Sequence, residues 1–199
     1  YFPNQLSKIC LKTNIKLIHF STDYVFDGKK NGGYYYNDNC NPKTLYGKSK
    51  HKGELKIKES GCKYQIIRLC GVYSSFRKNF VKTVLHKLLN HKIIKLPTNI
   101  ICNPLYASDI PRLISFLLGR HYGKRKIIHF GGKNILSWFD FGIKIQAAFC
   151  ERKKINNPGL VIPNKDISKK ILRPPYSVIL DNKVFDKHKT NIDVAIKKI

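Results

Sequence analysis

Apolar positions along the chain fall into short blocks parted by polar, Gly- and Pro-bearing stretches. Leu6, Ile9, Cys10 and Leu11 carry helical spacing, which predicts a helix over residues 4–11. Residues 15–20, Ile-Lys-Leu-Ile-His-Phe, are short and rich in apolar and β-branched side chains, and read as a buried strand. Gly28, Gly32, Gly33, Asn39 and Pro42 mark a long polar loop over 27–44, a length that in a compact domain points to function. Residues 45–59 are helical in composition, and 64–69 form the next strand. Phe80, Val81, Val84, Leu85 and Leu88 make one helical face over 79–89. A strand at 93–96 ends at Pro97, and Ser108 and Asp109 are expected to cap a helix through 118 that Gly119 ends. A strand at 127–130 runs into Gly131-Gly132, read as a tight turn, and Ser137 is expected to cap a helix through 150 with Asp140 in its first turn. Beyond Glu151 the pattern is irregular and Pro-rich until a helix near the C-terminus.

Strands alternating with helices predict an α/β layered fold. The chain has 199 residues, 42% of them hydrophobic and 12% aromatic, enough to bury a core and unlike a disordered segment. No apolar run approaches a bilayer span and no signal-peptide order opens the chain, so a cytoplasmic protein is expected. The six cysteines are scattered without a Cys-x-x-Cys pair or a zinc-type spacing, so no metal site is expected and a reducing compartment is.

The formal net charge is +26. Its lysines are spread along the chain, and the composition is rich in Lys, Ile and Asn together. A drift in composition accounts for this, and nucleic-acid binding ranks last among the readings. The chain opens at Tyr1 and contains no Met, so the expectation is a piece of a longer translation product.

The chemistry concentrates in two segments. Ser21-Thr22-Asp23-Tyr24-Val25-Phe26-Asp27-Gly28 places a hydroxyl at the end of an apolar strand, and Tyr46-Gly47-Lys48-Ser49-Lys50 places a Tyr and a Lys four apart. On a helix those two share a face, one turn apart. An ammonium held close to a phenol favours the phenolate. The pair can then exchange a proton with a carbonyl or alcohol near neutral pH, with Thr22 as second hydrogen-bonding partner. A lone Tyr-x-x-x-Lys is weak, because a solvated helix pair is the usual fate of that spacing; the flanking motif gives it weight. Thr22 and Asp23 also have bland readings as turn residues, and for Asp27 the bland reading is preferred.

These residues resemble the extended short-chain dehydrogenase/reductase family, in its dTDP-4-dehydrorhamnose reductase branch. The resemblance runs from Leu17-Ile18-His19-Phe20 through the two motifs and Gly53-Glu54. It continues at Arg68, Val72-Tyr73, Asn79-Phe80, His129-Phe130-Gly131-Gly132, Phe139 and Phe141, and ends with Arg173-Pro174, Ser177, Leu180-Asp181 and Lys183. It implies a doubly wound parallel sheet, Rossmann-like but lacking its first strands, with a small C-terminal substrate lobe. Residues 1–100 would be the later part of the dinucleotide-binding domain with the catalytic residues, and 101–199 mainly the substrate lobe. By resemblance Thr22, Tyr46 and Lys50 are the catalytic trio. Tyr46 would protonate the C4 oxygen of a nucleotide-linked deoxy sugar, and Tyr46 and Lys50 would hold NADPH or NADH through the nicotinamide ribose. Thr22, Asp23 and Tyr24 would line the sugar pocket.

Departures gather around the substrate. Gly71 stands where the family commonly has a Trp, Tyr36 where the loop usually carries a Glu, and Cys102-Asn103-Pro104-Leu105 replaces Gly-x-Pro-Thr. No Gly-x-Gly-x-x-Gly turn for a pyrophosphate occurs near Tyr1, so that element is expected upstream. Rival readings are a non-catalytic regulatory subunit of methionine adenosyltransferase, with that synthetase as partner, and an epimerase or dehydratase of the same superfamily. A homodimer is a further partner expectation.

Overall fold

The computed structural model describes residues 2–119, 126–153, 158–164, 174–181 and 183–199. In chain order its elements are α1 (Phe2–Lys12), β1 (Leu17–Thr22), a 3-10 turn at Asp23–Val25, α2 (Leu45–Glu59), β2 (Tyr64–Leu69), α3 (Phe80–Leu89), β3 (Ile93–Pro97), β4 (Ile101–Cys102), α4 (Asp109–Leu118), β5 (Ile127–Phe130), β6 (Leu136–Ser137), α5 (Trp138–Lys153), β7 (Leu160–Asn164), a 3-10 stretch at Lys183–His188 and α6 (Ile192–Lys197).

The central sheet has the order β1-β2-β5, all parallel, with Thr22 opposite Leu69 and Leu69 opposite Phe130. Strand alternation divides its side chains between two layers. Ile66 packs with Leu17, Ile57, Cys10 and Cys62 beneath α1 and α2, while its neighbour Ile67 packs with Ile128, Phe130, Leu113 and Leu117 beneath α4. Helices therefore cover both faces of a parallel sheet, the α/β layering expected from the strand–helix alternation and the Rossmann-like architecture that the resemblance implies. A further apolar cluster joins Val25 and Phe26 to Val84, Leu88, Ile94, Phe141, Ile145 and Ile196. Around it β3 pairs with β7 in parallel and β4 with β6 antiparallel.

Two readings of the sequence need correction. The stretch read as irregular beyond Glu151 contains β7, whose Pro163 lies opposite Leu96. In a two-stranded sheet each strand has a free edge, which is where a proline is tolerated. Ser108 makes no capping hydrogen bond at α4. Its neighbour Asp109 is buried and instead accepts from the Thr190 amide (2.8 Å) and hydroxyl (2.6 Å). Ser137 does cap α5: its Oγ accepts from the Asp140 amide at 3.0 Å and donates to the Asp140 carboxylate at 2.6 Å.

The long loop is tied down rather than loose. Asp27 accepts from the Lys29 amide (3.1 Å), the Tyr34 hydroxyl (2.7 Å) and the Asn41 amide (3.0 Å), and Tyr34 stacks on Phe26 with centroids 4.2 Å apart. The structural reading of Asp27 holds. At Gly131-Gly132 a Cβ on either residue would overlap Asn103 or Pro104. Asn103 in turn holds the chain at Ile179, donating to its carbonyl (2.9 Å) and accepting from its amide (3.2 Å). Arg173 lies outside the described residues. No described helix is long and apolar enough to cross a membrane.

Candidate active site

The sheet presents its C-terminal strand ends to one cavity of about 510 Å3. Phe20, Ser21 and Thr22 from β1, Asp23 and Tyr24 from the turn, Tyr46 and Lys50 from α2, Leu69 at the end of β2, and Gly71 and Val72 after it line it. All five residues singled out in the sequence, Thr22, Asp23, Tyr24, Tyr46 and Lys50, thus meet at one opening. Ligands of open α/β sheets bind at this end of the strands.

How α2 comes to aim Tyr46 and Lys50 there is a matter of anchors on one helical stripe. Tyr46, Lys50 and Glu54 are spaced by four and share a face. Thr44 starts the helix, its side chain accepting from the Gly47 amide at 2.9 Å. Tyr46 meets the Tyr24 ring edge-on at 5.5 Å between centroids. The Lys50 ammonium donates to the Phe20 carbonyl at 2.6 Å, fixing the side chain across the end of β1. Glu54 binds Arg68 of β2 through two hydrogen bonds, 3.0 Å to Nε and 2.7 Å to Nη2, with both side chains fully buried.

This ion pair sits in a larger network. Arg68 Nη1 also donates to the Tyr36 carbonyl at 3.3 Å, and Nη2 to the Cys40 sulfur at 3.1 Å. His129 presents Nδ1 to the carbonyls of Tyr34 (3.1 Å) and Leu180 (3.2 Å), which places its proton there and leaves Nε2 to accept from Arg68 at 3.2 Å. Burial, and then the Arg68 charge, lower the His129 pKa to about 4. Burial pushes the Glu54 carboxyl up, but the Arg68 hydrogen bonds and charge outweigh it and hold the group below its ordinary range. Burial likewise depresses the Lys50 ammonium, with Glu54 pulling the other way.

Sequence spacing gave no metal set, yet the fold brings ligand atoms of Cys40, His51 and Glu54 within 4.8 Å of one another. The Arg68 guanidinium already bonds to two of the three and supplies the cation there. At the cavity itself, Thr22 is 5% and Asp23 3% exposed, whereas Tyr46 is 55% exposed and open to an incoming ligand. The Thr22 hydroxyl donates to Asp23 at 2.8 Å and accepts from the Tyr24 amide at 3.3 Å. Gly71 lines the wall with φ +49°, leaving backbone where another residue would project a side chain.

Residues 1–194 match the family model described as RmlD substrate binding domain. The chain is 34% identical over 161 residues to a dTDP-4-dehydrorhamnose reductase of Aggregatibacter actinomycetemcomitans, covering 78% of this chain and 54% of that protein. It is 33% identical over 162 residues to the spore coat polysaccharide biosynthesis protein SpsK of Bacillus subtilis, covering 81% and 55%. The chain therefore spans about half the length of the curated relatives it matches. Among solved structures, the dTDP-4-dehydrorhamnose reductase of Bacillus anthracis in complex with NADP superposes with a TM-score of 0.84 at 26% identity, over 98% of this chain and 69% of that one. A dTDP-glucose 4,6-dehydratase of Streptomyces venezuelae at 14% identity, TM-score 0.77, shares the fold. With its parallel sheet, its cavity and this match over nearly all its length, the chain belongs to the RmlD substrate-binding-domain family.

Proposed function

We propose that this chain carries the proton-transfer and sugar-binding part of an NAD(P)H-dependent reductase acting on the 4-keto group of a nucleotide-linked deoxy sugar, dTDP-4-dehydrorhamnose going to dTDP-rhamnose. The observation that carries the reading is the convergence of Thr22, Asp23, Tyr24, Tyr46 and Lys50 on one cavity at the strand ends. The curated relatives named as dTDP-4-dehydrorhamnose reductases and the NADP complex of the Bacillus anthracis reductase support it.

The residues suit a nicotinamide ribose. The Lys50 ammonium has three hydrogens, and the Phe20 carbonyl accepts from it, so the others remain to meet ribose hydroxyls. Tyr46 would present its phenol beside them. When bound, a reduced nicotinamide supplies the hydride. The chain's own work is to orient the sugar carbonyl between Tyr46 and Thr22 and to pass the Tyr46 phenolic proton to the sugar oxygen. Asp23 and Tyr24 would shape the sugar pocket. Through Tyr46 and Lys50 this chain would meet the nicotinamide end of the dinucleotide.

The test is a chimera carrying the dinucleotide-binding half of a relative ahead of residue 2. Tyr46→Phe in it should lower NADPH consumption on dTDP-4-dehydrorhamnose by roughly 10²–10⁴-fold, the usual worth of a general acid, with an unchanged melting profile. Undiminished turnover would refute the assignment.

A further inference from the structure

A cavity of about 420 Å3 lies between α3, α5 and α6 and shares no lining residue with the one at the strand ends. Its buried lining residues are Ile145, Phe149 and Ile196, and Leu85, Leu89 and Ala148 add apolar walls. Leu89, 50% exposed, is the one large apolar lining residue on the surface; the others are buried or half-buried. A protein partner covers about 800 Å2 on each side, whereas the apolar surface here is confined to the cleft. Its size and lining suit a small ligand instead.

The charged lining residues choose the ligand. They are Glu151, Arg152 and Lys197, all exposed. Lys197 binds Glu151 at 3.0 Å, so those two charges offset each other. Arg152 has no acidic partner among the described residues and leaves one uncompensated cation at an apolar cleft. A guanidinium matches a carboxylate through two parallel hydrogen bonds. Deeper in, no polar side chain lines the cleft, so a polar substituent there would lose its water without gaining a partner.

We propose that the cleft between α3, α5 and α6 binds a small monocarboxylic acid with an aliphatic tail, the tail lying on Ile145, Phe149 and Ile196 and the carboxylate pairing with Arg152. The cleft is separate from the reductase site, and binding there needs neither nucleotide nor sugar.

Calorimetric titration of this chain with decanoate, octanoate and octan-1-ol tests the site. One decanoate per chain is expected, with octanoate weaker by roughly tenfold, the transfer worth of two buried methylenes. Octan-1-ol carries no charge and should bind about fivefold more weakly than octanoate, the upper range for an ion pair at a surface. Arg152→Gln should remove that difference and leave octan-1-ol binding unchanged. Ala148→Phe fills the cleft and should abolish decanoate binding. Should that variant not fold, Leu89→Gln, at an exposed position, should weaken decanoate by about threefold or more. The proposal is overturned if decanoate does not bind, if it binds at several sites indifferent to the cleft variants, or if the preference for octanoate survives Arg152→Gln. A dimer in sedimentation that Leu89→Gln dissociates would give the cleft to a second copy of the chain and overturn it as well.

Discussion

Gly47 of α2 lies directly against the backbone carbonyl of Tyr24, so close that a Cβ on it would overlap that oxygen. The contact seats the first turn of α2 on the 3-10 turn after β1, with Pro42 closing the other side. It is the reason a residue without a side chain stands between Tyr46 and Lys48. Moving α2 outward by the width of a methyl group would carry Tyr46 away from Tyr24 and Thr22.

Gly47→Ala is therefore expected to destabilise the fold by about 1–3 kcal/mol, the range for overpacking a fitted contact, despite alanine's better helix propensity. Urea unfolding measures the loss. Gly53→Ala serves as the comparison, because its Cβ would stand 3.2 Å from the Pro3 side chain, a contact that a small shift of α1 relieves. Equal effects at the two glycines would show that the Tyr24 carbonyl does not fix the helix.

The Glu54–Arg68 pair makes a second expectation. Removing one partner leaves a buried charge uncompensated, which costs about 3–5 kcal/mol, whereas replacing both by apolar side chains is often close to neutral. Glu54→Leu alone should fall in that range. Adding Arg68→Met should recover much of the loss, although Arg68 also satisfies the Tyr36 carbonyl, so recovery will be incomplete. The double-mutant cycle reads the coupling, and additive losses would contradict it.

These two contacts show what the sequence could and could not reveal. The strands read at 15–20, 64–69 and 127–130 were legible as short apolar runs, the first of them placed two residues ahead of β1. Tyr46 and Lys50 were legible through their spacing and the motif beside Thr22. The docking of α2 was not. Its buried residues are Gly47, Gly53, Glu54 and Ile57, a set without an apolar stripe, and it carries Leu45 at 85% exposure. Helical periodicity reports burial of hydrocarbon, whereas α2 is held by close backbone approach and a buried charge pair. β7 escaped for a related reason: Pro163 speaks against a strand unless the edge it occupies is known to be free. The Arg68–His129 contact, 61 positions apart, has no local signal at all.

Gly71 supplies a third expectation, about the cavity wall. Its φ of +49° lies in the left-handed region, yet a Cβ there would meet Pro104 only at 3.5 Å, an ordinary contact. The constraint is conformational rather than steric. Asn tolerates this region and β-branched residues do not, so Gly71→Asn should cost less than about 1 kcal/mol and Gly71→Val about 1–2 kcal/mol or more. Thermal denaturation separates them. Because Gly71 lines the cavity beside Val72, Gly71→Asn should, on the function proposed above, also weaken dTDP-rhamnose binding while the fold persists. Unchanged affinity would place the sugar on another wall.

The pH dependence of stability should report the buried histidine. His129 is 1% exposed and its pKa drops from an ordinary 6.5 to about 4, chiefly through burial and then through Arg68. Above about pH 6.5 the ring is neutral in both folded and unfolded chains. Between there and pH 4 the unfolded chain takes up a proton that the folded chain refuses, so stability falls as pH falls. At pH 5 the accumulated loss is on the order of 2 kcal/mol. Asp181 acts with the opposite sign in part of this window. Burial raises its carboxyl to about 6 against the Lys189 charge, so below that pH the folded chain holds a proton the unfolded one has released. The net slope mixes the two groups, and the comparison that isolates the histidine is with His129→Asn. Urea unfolding at pH 7 and pH 5 should show the wild-type chain losing about 2 kcal/mol more than the variant over that interval. Parallel slopes would mean that the ring between Arg68 and the Tyr34 and Leu180 carbonyls takes a proton as readily as one in water.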